Sequence, residues 1–422
     1  MTENSRSALW HPFTQHGLEP VMTNIAQAEG AWLETADGSR IFDAISSWWV
    51  VTHGHRHPKI IAAIKTQAEK LDQVIFAGFT HEPAETLARG LIEIAPDDLD
   101  HVFLSDSGST AVEVALKMAL GYWRNHGETR TRILALEHAY HGDTVGTMSA
   151  GARGVFNAAY QPLLFDVGRI PFPAQGQEQV TFDALEAACK RGDVAAFICE
   201  PLILGAGGML MYDAATLKAM HVTCRAHDVL FIADEVMTGF GRTGTLFACE
   251  QADITPDILC LAKGLTGGSL PLAATLCSRA IFDAHYSTDR SRTFFHSSSY
   301  TANPICCAAA NANLAIWRDE PVRERVARLS QMQIERLSPF QTDARFENVR
   351  QLGTITAFEL TGHDDGYAAT ISLALRSYFL ERGVLLRPLG RTIYVMPPYC
   401  TTGEELDLVY AAISKAADEV RA

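Results

Sequence analysis

Between about residue 50 and residue 318 the chain alternates short apolar runs with longer segments of helical period, and this alternation leaves few folds open to it. The runs HVFLSD (101–106), RILALE (132–137), AAFICEP (195–201), DVLFIADE (228–235) and DILCLAKG (257–264) are bounded by polar residues or glycine. Short runs that are apolar throughout are predicted to be parallel strands buried on both faces. Between two of them, TAVEVALKMALGYWRNHG (110–127) sets Ala111, Val112, Ala115, Leu116 and Ala119 at three- and four-residue intervals, the stripe of an amphipathic helix. The expected fold class is therefore α/β, a mostly parallel sheet flanked by helices, with ligands at the carboxyl ends of the strands.

After Trp317 the pattern changes to a polar helix, strand candidates near 353–360 and 384–396, and a last helix opening at Thr402 with Glu405 as its capping-box partner. This predicts a second, C-terminal domain. At 422 residues, 47% hydrophobic and 20% charged, the chain is long enough for both cores. A net charge of −14 disfavours nucleic acid and anionic membranes, which repel such a surface. The nine cysteines are odd in number, form no C-x-x-C and sit mostly in apolar runs, as reduced core residues do. The start MTENSRSALW has no basic segment leading into an apolar one, and no window approaches the ~18 uncharged residues of a spanning helix. A cytoplasmic protein acting on small molecules is expected.

Several strand ends carry residues suited to chemistry. Lys263 follows DILCLA and precedes Gly264, Leu265, Thr266, Gly267 and Gly268, so its amine is placed beside a flexible loop. Desolvation there favours the neutral amine, which attacks carbonyls to give an imine; a snorkelling surface lysine is the competing account. Asp234 ends VLFIAD, where a carboxylate needs a partner; a protonated ring nitrogen is one, a structural aspartate another reading. Ser107, Gly108 and Ser109 stand between a strand and a helix start, either an anion cradle or an ordinary cap. Tyr140 offers a ring face and Trp48 with Trp49 an apolar wall, unless these are core aromatics. Arg387, among apolar residues, suits a substrate carboxylate or a structural ion pair equally. His53, His55 and His57 lack neighbouring Cys or acidic ligands, so no metal is expected.

Together, a strand-end aspartate, a lysine 29 residues later and an upstream Ser-Gly-Ser resemble the class III aminotransferases of the fold-type I pyridoxal-phosphate enzymes. DEVMTGFGRTG (234–244), PDILCLAKGLTGG (256–268) and HAYHGDT (138–144) carry that resemblance. Within the class, WHPFTQ (10–15), SSWWV (46–50), DSGSTAVEVALKMAL (106–120), EPLILGAGGM (200–209), HSSSYTANP (296–304) and RPLGRTIYVMPPY (387–399) resemble the adenosylmethionine:8-amino-7-oxononanoate aminotransferase family of biotin biosynthesis.

The resemblance implies a large cofactor-binding domain over 48–317 and a smaller α+β domain built from both chain ends, 1–47 and 318–422. It implies pyridoxal 5'-phosphate carried by Lys263, with Asp234 on the ring nitrogen and Gly108 with Ser109 on the phosphate. Ser298 and Ser299 would reach that phosphate from the partner subunit of a homodimer. Phe13, Trp48, Trp49, Tyr140 and Ser297 would line the substrate channel, and Arg387 would bind the acceptor's carboxylate. S-adenosylmethionine is the implied amino donor, with lysine used by some relatives. Phe13 stands where the family often has a tyrosine, so the hydroxyl that would contact an amino group is missing. Ala206 stands where ornithine- and aminobutyrate-type relatives have glutamate, which turns the reading away from other ω-aminotransferases.

Overall fold

The computed structural model describes residues 7–363 and 369–420; the outermost parts of the expected terminal segments lie outside them. The five apolar runs form the strands Leu99–Ser105, Arg132–Leu136, Val194–Cys199, Leu230–Asp234 and Ile258–Leu261. They belong to a seven-stranded sheet with Gly168–Ile170 at one edge and Leu99–Ser105 at the other. Leu230–Asp234 lies at its centre, parallel to Val194–Cys199 on one side and to Ile258–Leu261 on the other. One strand, Ala273–Ser278, runs antiparallel between Ile258–Leu261 and Leu99–Ser105, an interruption that the sequence pattern did not announce.

The central strands are apolar up to Asp234 because helices cover both faces. All six residues of Val194–Cys199 and all five of Leu230–Asp234 are buried. Helix Gly108–Asn125 lays Ala111, Val112, Ala115 and Ala119 on one face, together with Ile198, Ile232 and Cys260. Each large side chain so buried contributes roughly 1.5–3 kcal/mol. The helix begins where Ser107 and Thr110 close a reciprocal capping box, so its start is fixed by local hydrogen bonds.

The helix containing Trp317 runs Pro304–Asp319, so the change of pattern falls two residues beyond that tryptophan. The strands Phe346–Leu352, Ile355–Leu360 and Thr392–Val395 then make an antiparallel sheet. Helix Gly403–Glu419 opens on the expected box between Thr402 and Glu405. The two ends of the chain meet in a second small sheet, where Val384–Leu385 pairs parallel with Arg40–Asp43. None of the described helices is long and apolar enough to cross a membrane.

Candidate active site

The central strand and its neighbour end in the two residues that the sequence singled out. Asp234 closes Leu230–Asp234 and is 4% exposed. Its Oδ2 lies 2.7 Å from His141 Nδ1, and its Oδ1 accepts from the Val236 N–H at 3.2 Å. Lys263 follows Ile258–Leu261 in a left-handed conformation, φ +47°, that turns the chain into the short 3-10 segment Lys263–Thr266. That turn is held from behind. Asn313 Nδ2 donates to the carbonyls of Gly264 and Leu265, both at 3.0 Å, while Asn313 Oδ1 meets His53 Nε2 at 2.8 Å. Burial holds the Lys263 amine down to about 8, opposed by the nearby charges of Asp234 and Glu200. Its Nζ stands 4.9 Å from the Trp49 ring centre.

Both residues face a cavity of about 580 Å³ at the carboxyl ends of the strands. Gly108 and Ser109, the first residues of their helix, form part of its wall, where unpaired N–H groups and the helix dipole favour an anion. A Cβ on Gly108 would come within 2.6 Å of Val236 Cγ1, and one on Gly142, at φ +130°, would collide with the Ser109 hydroxyl. Glycine at both positions keeps this corner open. Tyr140 lines the same cavity; burial first, then the neighbouring Asp143, raises its phenol well above the usual range.

Trp48, Trp49, Phe13 and Arg387 complete the wall on the side of the chain termini. Trp49 is buried, with its Nε1 donating to the Tyr394 hydroxyl at 3.0 Å, whereas Trp48 is 40% exposed. The strained turn that presents them has positive φ at Ser46, Ser47 and Trp49, and Asp43 fixes it by accepting from the Ile45 and Ser47 N–H groups. Phe13 meets Trp48 edge to face at 5.5 Å. The Arg387 guanidinium lies 5.0 Å from the Trp48 ring centre and donates to the Phe13 carbonyl at 2.9 Å.

The three predicted serines stand apart from this group. Ser297, Ser298 and Ser299 are not on the cavity wall formed by this chain. Ser298 Oγ donates to Asp106, which is on the wall, and the Ser299 carbonyl accepts from Gln73 at 2.8 Å. Of the three histidines, His53 is buried against Asn313, His55 pairs with Asp43 at 2.8 Å and His57 lies 3.7 Å from Glu320.

Two residues of the site were missed by the sequence reading. His141 has a fully buried side chain, touches Asp234, and has no hydrogen-bond partner for its Nε2 among the described residues. Glu200, at the end of Val194–Cys199, is buried and accepts from the N–H groups of Tyr140 at 3.0 Å and Gly205 at 2.9 Å. Burial pushes its carboxyl up to about 7 despite those bonds and the adjacent His141. The signal for both was positional: each sits within two residues of a strand end or of the Tyr140 already chosen.

A fold-type I architecture with an amine, a carboxylate and an anion corner at the strand ends is that of a pyridoxal-phosphate enzyme, and comparison with known proteins gives its class. The family model for aminotransferase class III matches residues 13–417, and the chain belongs to that family. It is 47% identical to the adenosylmethionine-8-amino-7-oxononanoate aminotransferase of Synechococcus elongatus, over 99% of this chain and all of that one. The enzyme of that name from Methanocaldococcus jannaschii has the same fold, with a TM-score of 0.94, 34% identity and 98% of each chain covered. An amine transaminase from an uncultivated Pseudomonas species, solved in its PLP-bound form, follows at 0.93, with 32% identity and 99% of each chain covered.

Class III aminotransferases depend on pyridoxal phosphate, and so does this chain. The residues present fit that group. Gly108 and Ser109 leave open a corner at a helix N-terminus, which suits a phosphate. The buried Asp234 suits a cationic ring nitrogen, and Lys263, with its amine held down to about 8, suits an aldehyde.

Proposed function

We propose that this enzyme transfers an amino group to 8-amino-7-oxononanoate, giving 7,8-diaminononanoate in biotin biosynthesis, with S-adenosylmethionine as donor. The observation that carries the reading is the joining, in one cavity, of Lys263 and Asp234 to an apolar wall of Trp48 and Trp49 that ends at Arg387. An apolar chain ended by a carboxylate fits that wall and that guanidinium fork. The names of relatives at 47% and 34% identity support it.

In this account Gly108 and Ser109 would hold the phosphate of the cofactor, Tyr140 would stack on its ring, and Asp234, oriented by His141, would pair with its nitrogen. When bound, the cofactor supplies the electron sink that acidifies the carbon bearing the amino group. Lys263 Nζ would hold the cofactor at rest and, once the incoming amine has taken its place and left it a free amine, would move the proton at that carbon. Glu200, accepting from the N–H groups of Tyr140 and Gly205, fixes the two segments that carry those residues relative to each other. Trp49, buried against Tyr394, excludes water from the reacting side. Arg387 orients the acceptor by its carboxylate.

A homodimer belongs to the same proposal. Ser298 and Ser299 lie off this chain's own cavity, as residues that serve the partner's phosphate would, and Ser297 would line the partner's channel. Residues 48–317 are taken as the cofactor-binding domain, with 1–47 and 318–422 as the small one. The second reading, an ω-aminotransferase acting on other amines, has the amine transaminase at 32% identity in its favour. Initial rates with both substrates varied give parallel double-reciprocal lines for the proposed exchange. Intersecting lines would contradict it.

A further inference from the structure

A second cavity, of about 610 Å³, adjoins the first, with Met148, Val155 and Tyr160 on its outer side. Its inner wall is made by Phe13, Phe156 and Asp143, which also face the catalytic cavity. The two phenylalanine rings meet edge to face at 5.9 Å, and Phe156 meets Tyr140 in the same way at 6.3 Å. The two chambers are therefore separated by an aromatic sill and a single carboxylate.

Two substrates must bring their reacting carbon to the same lysine, so they are told apart by what trails behind it. The acceptor trails an apolar chain and a carboxylate, which Arg387 over Trp48 suits. The second chamber has the opposite character: its lining includes one acid, Asp143, three aromatic rings and, among the described residues, no base. A carboxylate entering it meets like charge, while a cation is drawn by Asp143 and by the ring faces. A planar base finds stacking surface on the same rings.

We infer that the second cavity is the subsite for the sulfonium and planar base of the amino donor, with Phe13 and Phe156 as the sill across which the donor lies. The inference rests on the proposed function. It gives Phe13 a part that needs no hydroxyl, since a ring face attracts the cation as well as a phenol does. Donor and acceptor then leave the reacting centre in different directions, each toward charge of opposite sign.

The test is a new positive charge on the outer side of the chamber. Tyr160 and Val155 are 51% and 62% exposed, so lysine at either position is compatible with folding. The saturating half-reactions of the holoenzyme and of Tyr160→Lys and Val155→Lys are followed with S-adenosylmethionine, with its uncharged thioether S-adenosylhomocysteine, and with 7,8-diaminononanoate. Both variants should raise the apparent dissociation constant for S-adenosylmethionine at least tenfold, change that for the thioether less, and leave that for the diamine within twofold. Equal losses for sulfonium and diamine, or no loss for either, would overturn the subsite. So would a parent enzyme that answers the diamine and lysine but not S-adenosylmethionine. A parent that does not answer the diamine fails at the earlier step: it removes the proposed function, and the subsite with it.

Discussion

Lys263 has an amine in a place where charge is costly. Its proton is bound less tightly in the folded chain, at about 8, than at the ordinary 10.5. The stability linked to this group is therefore fully present above about 10.5 and is lost as pH falls through about 8. In the cofactor-free protein, Lys263→Met should be more stable than the parent at pH 7 by roughly 1–3 kcal/mol, the gap closing as pH rises toward 10.5. Denaturant titrations at pH 7 and 10 check this; a gap that does not change with pH would contradict it. The same neutral amine makes the residue a nucleophile, so capture of pyridoxal phosphate by the cofactor-free chain should speed up through pH 8 and level off above it. Arg387→Lys keeps the charge but loses the planar fork; it should weaken acceptor binding by about tenfold, roughly 1.4 kcal/mol, with little effect on the donor half-reaction. At this scale the sequence was legible where a polar residue interrupts an apolar run, as at Asp234 and Lys263. His141 and Glu200 were not legible as site residues, because their function depends on contacts across strands. His141 reaches Asp234 across 93 residues, and Glu200 reaches the Tyr140 N–H across 60.

The elements matter through how they fix those side chains. The turn carrying Lys263 depends on Asn313, a fully buried residue of helix Pro304–Asp319 whose amide satisfies two carbonyls of that turn. Asn313→Ala leaves those carbonyls and His53 without their partner and should cost about 1–3 kcal/mol. It should also slow cofactor capture, since the left-handed turn at Lys263 loses its support; thermal unfolding and the capture rate measure the two effects. Burial already holds His53 down to about 4, so it is neutral in the folded chain at pH 7 and serves Asn313 by hydrogen bonding alone. At the other strand end, Gly142→Ala forces a Cβ onto Ser109 in a backbone conformation that disfavours side chains. Cofactor affinity should fall at least tenfold, read by equilibrium dialysis, with little change in secondary structure by circular dichroism. The strands and the capped helices were readable because period and caps are local. The antiparallel Ala273–Ser278 was not, since an apolar run carries no sign of its direction.

On the scale of the molecule, the site is a meeting of distant segments. Arg242 is 1% exposed and donates to the carbonyls of Pro397 and Val51, at 3.1 and 2.8 Å, joining the central region to both termini. The Tyr399 hydroxyl donates to the Phe240 carbonyl at 2.6 Å and reinforces the same junction. Arg242→Met removes a buried cation but leaves those carbonyls without donors, so the variant should lose several degrees in Tm and loosen Trp49. The pairing of Arg40–Asp43 with Val384–Leu385 has the same meaning: the cavity wall of Trp48, Trp49 and Arg387 is completed only when the two ends of the chain meet. Strands that far apart share no local pattern, and only the family resemblance implied that segments from the two ends belong together. The identity of the two substrates is decided by the half-reactions. The loaded enzyme is mixed separately with 7,8-diaminononanoate, S-adenosylmethionine and lysine, while its visible absorbance is followed and the products are identified by mass. Loss of the visible band with the diamine and with S-adenosylmethionine, and formation of 8-amino-7-oxononanoate from the diamine, is the predicted result. An unchanged band with the diamine, in an enzyme that still reacts with simple amines, would contradict the assignment.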